Sequence, residues 1–193
     1  MNDFLSPDYW SQRYENQQHG WDLGQISPPI KAYIDQLTNK DLKILIPGCG
    51  SGHEGSYLWK EGFKQVNMLD FSPHPLEMFK QNHPDFPVNQ LHCVDFFQHE
   101  VTYDLIIEQT LFCAIDPSLR SKYGEKVATL LKPGGKLIGL LFNRSFEAGP
   151  PFGGNQEEYE NYFSAHFSVT GFEVCHNSIT PRSGSELFIK FIK

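Results

Sequence analysis

The sequence predicts an α/β fold, a seven-stranded and mostly parallel sheet with helices on both faces. Three observations predict it. Short apolar runs alternate with helix-like stretches from 44 to 142, the pattern of parallel strands joined by crossover helices. The run Ile44-Leu45-Ile46-Pro47 feeds a turn with glycines at 48, 50 and 52. Glycine there lets the backbone turn sharply and approach a ligand, because no Cβ collides. A second run, Val66 to Leu69, ends in Asp70, about 20 residues past the loop, where an acid can bind ribose hydroxyls.

The elements follow in order. Ser6-Pro7 reads as an N-cap followed by proline at the first helical position. Trp10 and Tyr14, four apart, share one face of that short helix. Gly20-Trp21-Asp22-Leu23-Gly24 reads as a turn. Two roles stand open for these aromatics. They plug the sheet edge, or they form a lid whose π faces meet a cation. Ser27-Pro28-Pro29 starts a second helix with Ile30, Tyr33, Ile34 and Leu37 at helical spacing. Asn39-Lys40-Asp41 breaks it.

The first strand and glycine loop lead into a helix carrying Tyr57, Leu58 and Phe63, ending near Gly62. Ser72-Pro73 caps another, with Leu76 and Phe79. Val88 to Val94 is the expected third strand. The segment 95–100 is too short for a long crossover helix. Tyr103 to Glu108 is the fourth strand, with Gln109 at its C-terminal end. Asp116-Pro117 opens a helix with Leu119, Tyr123, Val127 and Leu130 on one face. Lys132-Pro133-Gly134-Gly135 turns the chain into a fifth strand over 136–142. Tyr159, Tyr162 and Phe163 mark an amphipathic helix. Phe167 to Val174 and Leu187 to Ile192 are the last two strands.

At 193 residues one domain is the expectation. The formal net charge of −7 argues against a non-specific nucleic-acid or anionic-membrane role. Cys49, Cys93, Cys113 and Cys175 show no C-x-x-C spacing, so no metal site is expected. They read as reduced core residues of a cytoplasmic protein. No signal peptide or long apolar span is evident.

The loop narrows the ligand class. A dinucleotide fingerprint, G-x-G-x-x-G, needs glycine at 53, where this chain has His53. The chain has G-x-G-x-G instead. Together with Asp70, that points to an adenosine-type cofactor. In parallel sheets, ligands bind beyond the C-terminal strand ends. Gly48, Asp70, Asp95 and Gln109 all lie at such ends.

A resemblance sharpens the reading. Trp10-x-x-x-Tyr14, Gly20-Trp21-Asp22-x-Gly24, Ile46-Pro47-Gly48-Cys49-Gly50-x-Gly52-His53 and Asp70-Phe71-Ser72 occur in that order. Tyr103-Asp104-Leu105-Ile106, Phe112-Cys113-Ala114-Ile115-Asp116-Pro117 and Leu130-Leu131-Lys132-Pro133-Gly134-Gly135 follow. Gly149-Pro150-Pro151-Phe152 and Pro181-Arg182-x-Gly184 complete the set. The whole resembles the thiopurine S-methyltransferase superfamily, closest to its thiol, halide and thiocyanate methyltransferase branch.

The resemblance implies a Rossmann-like class I methyltransferase fold with an N-terminal helical lid over 1–40. It implies S-adenosyl-L-methionine as cofactor, touched by Trp10, Tyr14 and Trp21 in the lid. Gly48 and Gly50 in the loop, the ribose acid Asp70 and the adenine-side pair Asp95 and Phe96 complete the implied contacts, with Gln109. Tyr14 stands where that branch usually has tryptophan, and Gln109 where it tends to have tyrosine. The implied partner is a small soft nucleophile (thiol, hydrosulfide, thiocyanate or halide), with no nucleic acid, membrane or metal.

No catalytic residue is assigned, since an activated methyl donor needs mainly alignment. Arg182 is the candidate for an anionic substrate, or else a solvated turn arginine. Arg144 is a second candidate on strand-end logic, and His53 at a helix start reads as structural. The rival readings are a cofactor-binding protein without catalysis and, further off, a nicotinamide-dependent oxidoreductase.

Overall fold

The computed structural model describes residues 4–193. Residues 1–3 of the expected lid segment lie outside the described residues. Ser6 caps the first helix, α1 (Pro7–Glu15), by accepting the Tyr9 amide at 3.1 Å, with Pro7 at its start. The next elements are α2 (Pro28–Ile34), β1 (Lys43–Pro47), α3 (His53–Lys60), β2 (Gln65–Asp70) and α4 (Pro73–Asn82). Then come β3 (Leu91–Cys93), β4 (Tyr103–Gln109), α5 (Arg120–Leu130) and β5 (Leu131–Phe142). The chain closes with α6 (Gln156–Phe163), β6 (Val169–Val174) and β7 (Glu186–Ile192).

The seven strands form one sheet in the order β3-β2-β1-β4-β5-β7-β6. Pairings from β3 through β5 are parallel, and β7 is antiparallel to both neighbours. Side chains alternate across the sheet. Ile44, Ile46, Leu105 and Ile107 meet Ile30, Leu58 and Phe79 from α2, α3 and α4. Leu45, Ile106 and Leu137 meet Tyr123, Val127 and Phe163 from α5 and α6 on the other face. Burial on both faces is why these strands read as continuous apolar runs.

Four expectations need correction. The third strand spans Leu91–Cys93 only, because Val88–Gln90 is a 3₁₀ turn entered from Pro87. Proline fixes φ and has no N–H for a ladder. Leu119 does not join the core face of α5. It ends a 3₁₀ turn capped by Asp116 and is exposed. The segment 132–135 lies within β5 as an irregularity, with the register jumping from Leu131 opposite Tyr103 to Lys136 opposite Leu105. Cys93 is exposed, while Cys49, Cys113 and Cys175 are buried, all four as free thiols.

Candidate functional site

The sheet order reverses direction between β1 and β4, and a crevice opens there beyond the strand ends. In the loop after β1, Gly48 and Gly50 have φ of +60° and +49°, a region costly for residues with a Cβ. A Cβ on Gly50 would sit 2.5 Å from the Tyr14 hydroxyl, and one on Gly48 2.9 Å from Leu111. The Gly50 amide donates to Asp70 Oδ2 at 3.1 Å, and the Ser72 amide to Oδ1 at 2.9 Å. Burial pushes the Asp70 carboxyl up, opposed by the N–H groups of Ser72, Gly50 and Phe71. A carboxylate offers about four acceptor positions, so acceptor capacity remains for a ribose hydroxyl.

A cavity of about 840 Å³ fills the crevice, within the roughly 300–1,000 Å³ typical of ligand sites. Trp10, Tyr14 and Trp21 wall one side, with Gly48 and Asp70 below. Asp95 and Phe96 reach it from the segment after β3. Asp95 Oδ1 accepts the Phe97 amide at 2.8 Å. Phe96 comes from the core, its ring 5.1 Å from that of Tyr123. Arg182, Arg144 and Phe142 line the cavity from the later strands. Gly50 and Gln109 do not line it. They face an adjoining chamber of about 50 Å³ that shares Tyr14, Trp21 and Gly48 with the main cavity. There the Gln109 side-chain oxygen is buried without a partner.

The aromatics stand over the glycine loop, against the edge-plug reading. Trp21 meets Trp10 and Tyr14 edge to face at 5.3 and 5.6 Å, and Trp21 Nε1 donates to the Tyr14 hydroxyl at 3.4 Å. Burial pushes the Tyr14 phenol up, so it stays protonated. Helix α1 packs on α4, where the Ser11 and Ser72 hydroxyls share a bond of 2.8 Å. His53 opens α3 and donates to Asp22 beside Trp21, which supports its structural reading.

Arg182 is no solvated turn residue. It ends a 3₁₀ turn, Thr180–Arg182, and donates to the Trp21 carbonyl at 3.0 Å and to Glu186 at 3.4 Å. Its guanidinium lies over Phe142 at 5.5 Å.

Sequence reasoning missed Thr110 and its support. Thr110 lines both cavities with φ of +68°, a strained state for a β-branched residue that neighbours must hold. Glu108 does so from full burial. It accepts the Phe112 amide at 2.8 Å and the Tyr123 hydroxyl, and burial pushes its carboxyl up to about 7. Arg120 was missed as well. Buried beneath the 149–154 loop, it donates to the carbonyls of Phe152 and Gly153 and pairs with Glu158 at 2.8 Å. No local signal marks either. Burial pushes the Cys113 thiol up to about 12 and raises Cys49 too, so neither is a thiolate nucleophile.

Residues 5–187 match the thiopurine S-methyltransferase family. The chain belongs to that family. Its members are S-adenosylmethionine-dependent methyltransferases, and so is this chain. It is 31% identical over 186 residues to "Probable thiol methyltransferase 2" of Arabidopsis thaliana, covering 92% of this chain and 81% of that one. It is 24% identical to a thiopurine S-methyltransferase of Pseudomonas fluorescens, covering 86% and 85%. Among solved structures, it is similar to a Burkholderia thailandensis 1,6-didemethyltoxoflavin-N1-methyltransferase. The TM-score is 0.72 at 15% identity, covering 98% and 87%. A magnesium protoporphyrin IX methyltransferase of Synechocystis gives 0.68 at 15%, covering 100% and 94%. These two show a shared Rossmann-like class I methyltransferase fold.

The residues present fit the family's cofactor. A buried carboxylate retains acceptor capacity, two glycines keep a cradle open that a Cβ would fill, and an orphaned amide oxygen awaits a donor. Among the described residues no helix is long and apolar enough to cross a membrane. Nor do three or more His, Cys, Asp or Glu side chains gather to hold a metal ion.

Proposed function

We propose that residues 1–193 form one methyltransferase domain, lidded by 1–40, that methylates a small soft nucleophile in the cytoplasm. The acceptor is a thiol, hydrosulfide, thiocyanate or halide. The observation that carries this is an aromatic-walled cavity with Arg182 in its lining. The names of two relatives support it, the Arabidopsis thiol methyltransferase above and "Thiocyanate methyltransferase 1" of Brassica oleracea, 30% identical over 185 residues.

Bound S-adenosylmethionine would supply a methyl group on a positively charged sulfur, already activated for transfer. The chain's own residues bind and align. Asp70 accepts from ribose hydroxyls with its remaining lone pairs. Asp95 accepts from the exocyclic amine of adenine, with Phe96 beside it. Gly48 and Gly50 let the backbone approach the amino-acid end, and the Gln109 oxygen accepts a donor there. Trp10, Tyr14 and Trp21 turn π density toward the cation and exclude water.

Arg182 draws an anionic acceptor into line. Halide, thiocyanate and hydrosulfide need no base, and a thiol with a pKa of about 8.5 is a few per cent ionised at neutral pH. Alignment of this kind is worth roughly 7–11 kcal/mol.

The test is a panel assay with S-adenosylmethionine and iodide, thiocyanate, hydrosulfide, a thiophenol or a thiopurine. Methyl transfer to at least one is the expected result. No turnover on any, with methylation of a protein or RNA fraction, would overturn the acceptor class. Cofactor binding with no methylation at all would make the chain a binding protein.

A further inference from the structure

The dipeptide Trp21-Asp22 is fastened at two ends. The Trp21 carbonyl accepts from Arg182 Nη2 at 3.0 Å. The Asp22 carboxylate reaches the opposite way, into the glycine loop. Its Oδ2 accepts from the Ser51 hydroxyl, and its Oδ1 accepts from His53 Nε2 at 2.6 Å. Oδ1 also accepts the Gly24 amide at 2.7 Å, which closes a turn around the carboxylate and fixes its direction. Ser51 and His53 flank Gly52, so the carboxylate grips the loop where it becomes α3. The Asp22 side chain is 15% exposed and that of His53 30%, so water screens this pair only in part.

We infer that Asp22 is a positioning residue. It latches the aromatic lid onto the glycine loop through Ser51 and His53, and so holds Trp21 and Tyr14 in place over the bound donor. The inference rests on the methyl-donor reading of the site. Without the latch, Trp21 keeps its aromatic neighbours, the Arg13 guanidinium over its ring and the Arg182 bond to its carbonyl, none of which ties it to the glycine loop through a charge.

The electrostatics agree. The bonds from His53, Ser51 and Gly24 hold the Asp22 carboxyl well below the usual carboxylate range. Asp22 in turn pushes the His53 imidazole up. The other titratable groups that feel the pair's charge are Glu54 on α3, Tyr14 on α1 and His83 after α4. Burial raises Glu54 and Tyr14 and lowers His83, so each is displaced toward its neutral form. The latch is therefore fully charged above the Asp22 titration and below that of His53. It weakens as pH rises through the raised His53 value.

The experiment is calorimetric titration of the full chain with S-adenosylhomocysteine across pH, for wild type, Asp22→Asn, Ser51→Ala and His53→Gln. Limited proteolysis of the N-terminal segment and a melting temperature accompany each. Asp22→Asn keeps an acceptor for Ser51 but removes the charge. It should weaken binding roughly tenfold or more, as the loss of a charge-assisted bond does. Wild-type affinity should fall on the alkaline side of the His53 titration, and His53→Gln should flatten that fall. A purely structural Asp22 would leave the pH profile of binding alone, which overturns the latch. So does wild-type affinity in Asp22→Asn and His53→Gln at every pH. Wild type that binds no S-adenosylhomocysteine overturns the donor reading itself, a separate outcome.

Discussion

Asp70 at the end of β2 is clamped to Gly50 in the loop after β1 by a bond of 3.1 Å from the Gly50 amide. The carboxylate is thereby aimed before any ligand arrives. Asp70→Ala should weaken S-adenosylhomocysteine binding by roughly 1–3 kcal/mol, the cost of hydrogen bonds lost to a charged group. Calorimetry checks it. Unchanged affinity would move the ribose site elsewhere.

The same loop makes a sharper test possible. A methyl at 50 would collide with the Tyr14 hydroxyl at 2.5 Å in a backbone state with φ of +49°. Gly50→Ala should displace Tyr14 and weaken cofactor binding. Adding Tyr14→Phe should recover part of the loss, since it removes the colliding oxygen. The remainder is backbone strain, about 1–2 kcal/mol for a side chain in the left-handed region. No recovery in the double variant would mean the strain alone decides.

Glu108 predicts a pH dependence of stability. Its native carboxyl is raised to about 7 by full burial, against about 4.3 in an unfolded chain. Between these values the native state holds a proton that the unfolded state has released. The contribution is therefore complete below about pH 4 and is lost as pH climbs to 7. Glu108→Gln mimics the protonated form at all pH. Its melting temperature should gain on wild type from pH 5 to pH 8, by an equivalent of roughly 3 kcal/mol. Parallel melting curves at both pH values would show that Glu108 does not titrate there.

The sequence made visible what local rules govern. The Ser6-Pro7 cap, the glycine loop and the acid at 70 each follow from short-range stereochemistry, and all three stand where expected. Other features depend on residues far apart in the chain. Trp10 and Tyr14 share a helix face by spacing, but only packing on α4 decides that this face covers the loop. Arg182 finds Trp21 from 161 residues away. Thr110 adopts its strained conformation because Glu108 ties down Phe112 behind it, and no pattern in the sequence signals a positive φ at threonine. Pro87 was legible as a loop residue. Its effect on the start of β3 was not, because the apolar Val88 next to it looks like strand and is exposed.

The lid should be dynamic in proportion to what holds it. Helix α1 has no fully buried residue, so little apolar area is lost when it lifts, and such segments open at low cost. Proteolysis between residues 4 and 25 should be faster in the free protein than with saturating S-adenosylhomocysteine. Equal rates would count against closure over the ligand.

Arg182 should separate the two halves of the site. It lines the cavity beside Phe142 and holds the Trp21 carbonyl, yet touches neither the glycine loop nor Asp70. Arg182→Ala should raise KM for an anionic acceptor such as thiocyanate by tenfold or more, the scale of a lost charge-assisted contact. Its effect on cofactor affinity should be smaller, confined to the loosened Trp21 backbone. Arg182→Lys keeps the charge but not the planar fork, so it should restore attraction for the anion better than the bond to Trp21. If both variants change cofactor affinity and acceptor KM by the same factor, Arg182 serves the lid alone. The anion would then be held elsewhere, with Arg144 on the same cavity wall the next residue to replace.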